Sequence, residues 1–204
     1  MATMETTSGR RLPRSGSAAL AVAALVQAVL GIEFVLTGLS KVADSGYVAH
    51  FGTFIAASPG AHRGLIAPLV QAVVMPHLAI AAELAKFGEL VVGVVLLVAA
   101  AETARRRFSG RFGGQRRYEP AVALAGAGAG LGLAGISITI FLLQGGELPA
   151  VNPARAFASA IPVELMMVAL GLAMAWLEFA RFRALRPRSA SAAAPAPSGL
   201  IAVR

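Results

Sequence analysis

The sequence predicts an all-α polytopic membrane protein, a four-transmembrane-helix bundle with both termini in the cytoplasm. Three observations carry this. Of 204 residues, 57% are hydrophobic and 14% charged, with a mean hydropathy of +0.72, whereas a globular domain carries about 25% charged residues. The apolar residues fall in four long blocks instead of interleaving with polar ones. The positive charge lies between the blocks, and mostly on one side of them.

A transmembrane helix needs about 20 consecutive, mostly apolar residues. A basic segment, 1–17, precedes the first span, about 18–39. That apolar run of about 22 residues exceeds the core of a secretory signal, contains Glu33 and has no small-residue cleavage site after it, so it reads as a retained helix. The second span covers about 77–101, the third about 121–143 and the fourth about 161–179. Residues 18–183 thus form the membrane domain. The 184–204 tail contains SASAAAPAPS (Ser189 to Ser198), a low-complexity stretch that cannot bury a core and is expected to be disordered.

Short-loop Lys and Arg set the direction of insertion. Arg10, Arg11 and Arg14, six arginines between spans two and three, and Arg181, Arg183, Arg186, Arg188 and Arg204 make fourteen on one side. Lys41, Arg63 and Arg155 make three on the other. Fourteen against three puts both termini in the cytoplasm and the 42–76 loop in the periplasm, in a bacterial inner membrane. The same placement explains the net charge of +8 without nucleic acid. In the 42–76 loop, Tyr47, Phe51 and Phe54 suit a short helix lying at the interface. Leu65 to Met75 is too short to span and is closed by Pro76, so an interfacial or re-entrant piece is expected.

Ionisable groups inside a span are costly and by default mark function. Glu33, Thr37, Ser40 and Lys41 recur on one face of the first span. The second span carries His77, Glu83, Lys86 and Glu89, and the fourth Glu164 near its start. Counting 1.5 Å per residue from each outer helix end puts Glu33, Glu83 and Lys86 at one level, with Lys41, His77 and Glu164 above them. One polar cluster open to the periplasm is therefore expected. Two readings stand side by side: a functional site, or ion pairs that fix helix register. Glu178, beside Trp176, reads as a boundary residue.

Other features are weaker. The chain has no cysteine, which removes thiolate chemistry and Cys-ligated metal or iron–sulfur centres. His50 and His62 lack further ligands at metal spacing, and a bis-histidine haem has no second helical histidine, so neither metal nor haem is expected in this chain. Gly130, Gly132 and Gly135 form a GxGxxG, but with no preceding strand. Together with Gly126 and Gly128 they read as small-xxx-small helix packing. Met166, Met167 and Met174 fill core gaps or line a flexible pocket.

The run GIEFVLTGLSK, from Gly31 to Lys41, resembles the first-helix signature of the DoxX/DoxD family, G-x-x-F-x-x-x-G-x-x-K. Tyr47 and Phe51, Pro76-His77, and Glu89 followed by Gly93 are similar to its continuation, and the likeness covers about residues 20–180. The resemblance implies a four-helix membrane subunit of the thiosulfate:quinone oxidoreductase type, with Lys41 and Glu89 carried over and Gly31, Gly38 and Gly93 assigned to packing. The expected mechanism brings an anion such as thiosulfate to Lys41, past His77 or Arg155, with Glu89 and Glu164 completing the substrate side. Quinone enters from lipid beside Glu83 and Lys86, Lys86 stabilises the oxyanion formed on reduction, and Glu33 or Glu83 relays protons. The rival expectation is a non-catalytic accessory or assembly subunit of a larger respiratory or photosynthetic complex. Both readings expect lipid and other protein subunits as partners.

Overall fold

The computed structural model describes residues 14–108, 116–146 and 161–186. Among them lie α1 (Arg14–Ala43), α2 (Tyr47–Ala57), α3 (Pro59–His62), α4 (Ala67–Leu69) running into a π-helical stretch (Val70–Val74), α5 (Leu78–Phe108), α6 (Glu119–Leu143) and α7 (Val163–Leu185), with no strand. Four helices are long and apolar enough to cross a membrane: Ala18–Ala43, Leu78–Arg106, Glu119–Leu143 and Val163–Leu185. These match the four expected spans, and each boundary has a local cause. Pro76 precedes α5, Pro120 sits in the first turn of α6 and Pro162 caps α7, positions where a missing N–H costs nothing. The second and fourth helices run past their apolar windows because polar groups there are paired. In particular, α7 extends through Leu185, so the expected tail begins later than 184, and its remainder lies outside the described residues.

In lipid, helices gain little from apolar contact alone and associate through close packing at small residues. Two glycine seams do this. A Cβ on Gly93 of α5 would lie 2.6 Å from the Val35 nitrogen of α1, and one on Gly38 would lie 3.0 Å from the Leu90 nitrogen. A Cβ on Gly130 of α6 would lie 2.6 Å from the Ala175 nitrogen of α7, and one on Gly171 would lie 2.7 Å from the Gly130 oxygen. The glycine-rich third span is therefore a packing surface, with Gly126 and Gly130 turned to α7 and Gly132 to Val92 of α5. Helix α5 also packs along α6. Leu30, Phe34, Val92, Leu96, Ala129, Leu133 and Met174 form the shared core. Met174 fills it, Met167 packs against it, and Met166 is exposed.

These contacts are backbone on side-chain carbon and cannot relax by rotamer change. Gly93→Leu is expected to destabilise the bundle by at least about 3 kcal/mol, the upper end for overpacked cores. A lowered thermal unfolding midpoint in detergent checks it, and Gly128→Leu serves as the control, since a Cβ there meets nothing within 4 Å.

The 44–77 segment covers one end of the bundle. The Asp44 carboxylate accepts a hydrogen bond from the Gly46 N–H at 2.9 Å, turning the chain out of α1. α2 then lies against α5, with a Cβ on Gly52 falling 2.8 Å from Leu78. Ile55, Ala61, Val70 and Leu143 form a second small core that seats the segment on the end of α6. Gly60 makes this possible: a Cβ there would fall 1.9 Å from the Leu142 carbonyl oxygen. The 65–75 piece is the short, non-spanning element that its length and Pro76 imply.

Candidate functional site

Beneath this cover lies a cavity of about 1460 Å³, walled by α1, α2, the 66–74 segment, α5 and α6. Its surface is mostly apolar, from residues such as Leu36, Phe51, Phe54, Leu84 and Ile136. The polar exceptions gather mostly on the α1 side, with Glu33, Thr37, Ser40, Lys41 and Asp44 joined by Tyr47 and His50 of α2 and Glu89 of α5, while Thr139 and Gln144 line the α6 side. The run from Glu33 to Asp44 has the i, i+4, i+7, i+8, i+11 spacing of one helix face. The Lys41 ammonium is bound to the Glu89 carboxylate. Helix register explains the pairing: with Val35 opposite Gly93 and Gly38 opposite Leu90, Lys41 lies within half a turn of Glu89.

The same register corrects the expected depth of the other charges. Position 33 lies opposite 95, so Glu33 sits roughly 18 Å along the bundle from Glu83. The helix ends are not coplanar: the first two turns of α5 project past the end of α1 to meet α2. Glu33 therefore does not share a level with Glu83 and Lys86, and these three do not form one cluster. Lys86 instead pairs with Glu83 at 2.7 Å and lies 5.9 Å from the Tyr47 ring centroid and 5.2 Å from that of Phe87. Neither Glu83 nor Lys86 lines the cavity, and neither do His77, Glu164 or the three methionines. Arg155 lies outside the described residues.

Asp44 and His50 join the site only in the folded chain, and Tyr47, expected on a short interfacial helix, joins them there. The Asp44 carboxylate pairs with His50 Nδ1 at 2.8 Å. The hydrogen bond from His50 and that from the Gly46 N–H hold the Asp44 carboxyl below its usual range. His62 instead contacts the Ala56 carbonyl. The Tyr47 phenol is pushed up to about 12, first by burial and then by the negative charges of Glu89 and Glu83. A folded-state value above the usual value of about 10 means that the unfolded chain loses this proton first. Stability from this group is intact below about 10 and falls as pH rises towards 12. Tyr118→Phe leaves Tyr47 as the lone tyrosine, and its phenolate absorbance should then titrate near 12. A midpoint near 10 would mean that Tyr47 is solvated.

The opposite end of the bundle holds a second polar network. Glu178, expected to be an ordinary boundary residue, is fully buried (0% exposed). It accepts from Gln27 Nε2 at 2.7 Å and pairs with Arg181 at 3.2 Å, and Arg181 also donates to the Thr103 hydroxyl at 2.8 Å. Glu119, likewise 0% exposed, pairs with Arg105 at 2.7 Å and Arg106 at 3.0 Å and accepts from the Arg116 N–H. Arg105 also binds Glu102. Carboxylates at the ends of α5, α6 and α7 are thus neutralised by arginines of the same end, and Gln27 ties α1 to α7. The boundary reading of Glu178 failed because its partners come from helices far away in sequence.

No family model, curated protein or solved structure matches the chain.

Proposed function

We propose that the chain is the quinone-binding membrane subunit of a DoxX/DoxD-like redox system, inserted in a bacterial inner membrane with both termini cytoplasmic, and that the α1–α5–α6 cavity is its ligand site. The observation that carries this reading is the cavity itself. Ligand pockets commonly measure about 300–1,000 Å³, and about 1460 Å³ of mostly apolar space suits an amphipathic molecule with a long tail. Its polar groups suit a quinone ring: the Lys41 ammonium and the Tyr47 phenol are donors for ring oxygens, and apolar side chains surround the rest. Bound there, a quinone supplies a two-electron, two-proton acceptor.

In this reading Lys41 orients the ring and stabilises negative charge on its oxygen, a role moved here from Lys86. Glu89 holds the ammonium in place. The 44–77 cover limits water around the ring, which strengthens these electrostatic interactions. A small anion such as thiosulfate would approach from the covered end, where Lys41 lies nearest the surface. The test is thiosulfate-dependent quinone reduction by the protein extracted from its native membrane with its partners. Turnover with co-purified quinone supports the reading, and a quinone-free, inactive complex contradicts it.

The accessory reading is favoured by a different observation: Arg116, Arg117, Arg183 and Arg186 are all exposed at the network end, a surface suited to an acidic partner subunit. Recovery at fixed stoichiometry in a large respiratory or photosynthetic complex, without quinone, supports that alternative.

A further inference from the structure

A second, smaller cleft of about 250 Å³ lies on the outer face of α7, lined by Trp176, Phe179, Ala180 and Arg183. Their i, i+3, i+4, i+7 spacing puts the four on one helix face. Ala180 contributes little bulk, so the two rings and the guanidinium shape the cleft. Trp176 is 76% exposed, and among the described residues its indole N–H has no acceptor.

A cation in the last turn of a helix complements the helix dipole, which accounts for Arg183 taken alone. It does not account for the ring-walled cleft beside it or for a second arginine one turn on. Arg186 stands at i+3 from Arg183, its guanidinium 4.8 Å from the Phe182 ring centroid. Phe182 packs in turn on Phe179, with centroids 6.1 Å apart. Both arginines are exposed, and neither has a carboxylate partner among the described residues. The two carboxylates of α7 lie elsewhere: Glu178 is buried on the opposite face with Arg181, and Glu164 is in the first turn.

The spacing along the helix matches the layers of a bilayer. Arg183 lies seven residues beyond Trp176, about 10 Å along the axis. Each polar interface of a bilayer is about 5–8 Å deep. A ring at the edge of the hydrocarbon therefore puts the guanidinium among the phosphates. Indole rings favour that edge, where lipid ester carbonyls accept from the N–H.

We infer that this face of α7 binds one anionic phospholipid, with its phosphate between Arg183 and Arg186 and its upper acyl chain in the cleft beside Trp176 and Phe179. Charge selects the class. Two unpaired guanidiniums outweigh the half-charge of the helix C-terminus, and a zwitterionic headgroup would bring its own cation to the same place. An acidic protein segment could meet the arginines, but it would have no use for an apolar cleft below the headgroup level. The inference stands on α7 alone and requires neither a quinone nor a particular orientation of the chain.

Trp176 is the chain's single tryptophan, so its fluorescence reports on the cleft directly. The test places the full-length protein in vesicles of phosphatidylcholine and phosphatidylglycerol, with bromine on the acyl chains of one lipid at a time, because bromine quenches indole on contact. Arginines near a membrane surface contribute about fivefold each towards anionic lipid. At equal mole fraction, brominated phosphatidylglycerol should therefore quench with at least about tenfold the apparent affinity of brominated phosphatidylcholine. Arg183→Gln should lower that preference about fivefold, and Arg183→Gln with Arg186→Gln should abolish it. Arg117→Gln, at an exposed position of the same end that does not line the cleft, should leave it unchanged, which separates a site from general attraction to a charged surface. Equal quenching by the two brominated lipids in the unaltered protein overturns the inference and leaves the arginine face to an acidic protein partner. A preference that survives the double variant, or that Arg117→Gln lowers as much as Arg183→Gln does, overturns it as well.

Discussion

Replacing Arg181 with methionine is expected to destabilise the protein by about 3–5 kcal/mol, the cost of leaving a buried charge without its partner. The Arg181 side chain is only 8% exposed, and Glu178 beneath it has Gln27 as its other partner. Gln27 supplies an amide dipole and no charge, so it cannot replace the guanidinium. The substitution also strips Thr103 of its donor, loosening α7 from both α1 and α5 at this end. The double variant Arg181→Met with Glu178→Leu should recover much of the loss, because it removes the buried charge along with its partner. Unfolding midpoints in one detergent, compared across the unaltered protein and both variants, check the prediction. Equal midpoints for the two variants would mean that Glu178 is solvated.

Lys41→Met should empty the cavity of any ligand bound through its polar end, at a cost in stability from leaving the buried Glu89 unpaired. Methionine keeps most of the lysine stem's apolar contact and removes only the ammonium. Losing a charge-assisted hydrogen bond to a ligand oxygen costs about 1.5–3 kcal/mol, roughly ten- to a hundred-fold in affinity. Glu89 is then left in the wall without its cation. A paired Lys41→Met, Glu89→Gln variant separates the two effects: it should regain stability but not binding. Quinone retained per protein after purification is the readout for both.

The four helices were legible because length and hydropathy decide membrane insertion almost without reference to tertiary contacts. The glycine seams were legible for a similar reason, since small residues on a lipid-embedded helix have little other use. Lys41 and Glu89 could be singled out one at a time, but not as a pair. Their meeting depends on the α1–α5 register, which Gly93 sets by admitting the Val35 backbone. Counting residues from helix ends misled for Glu33, Glu83 and Lys86 because those ends are staggered. Glu178 and Gln27 were missed on other grounds. One lay at the edge of an apolar window and the other was a lone uncharged residue within one, and their 2.7 Å hydrogen bond spans 151 positions. Asp44 and His50 were hidden in a loop whose path is set by a local carboxylate turn.

The most direct test of the account is photolabelling the purified protein with an azidoquinone and mapping the adducts by peptide mass. The account predicts adducts on cavity-lining peptides of α1 and α2, around Thr37 to Phe54, that disappear in Lys41→Met and under excess unlabelled quinone. Adducts confined to outward-facing residues such as Trp176 or Leu25, unaffected by Lys41→Met and by competition, would contradict it.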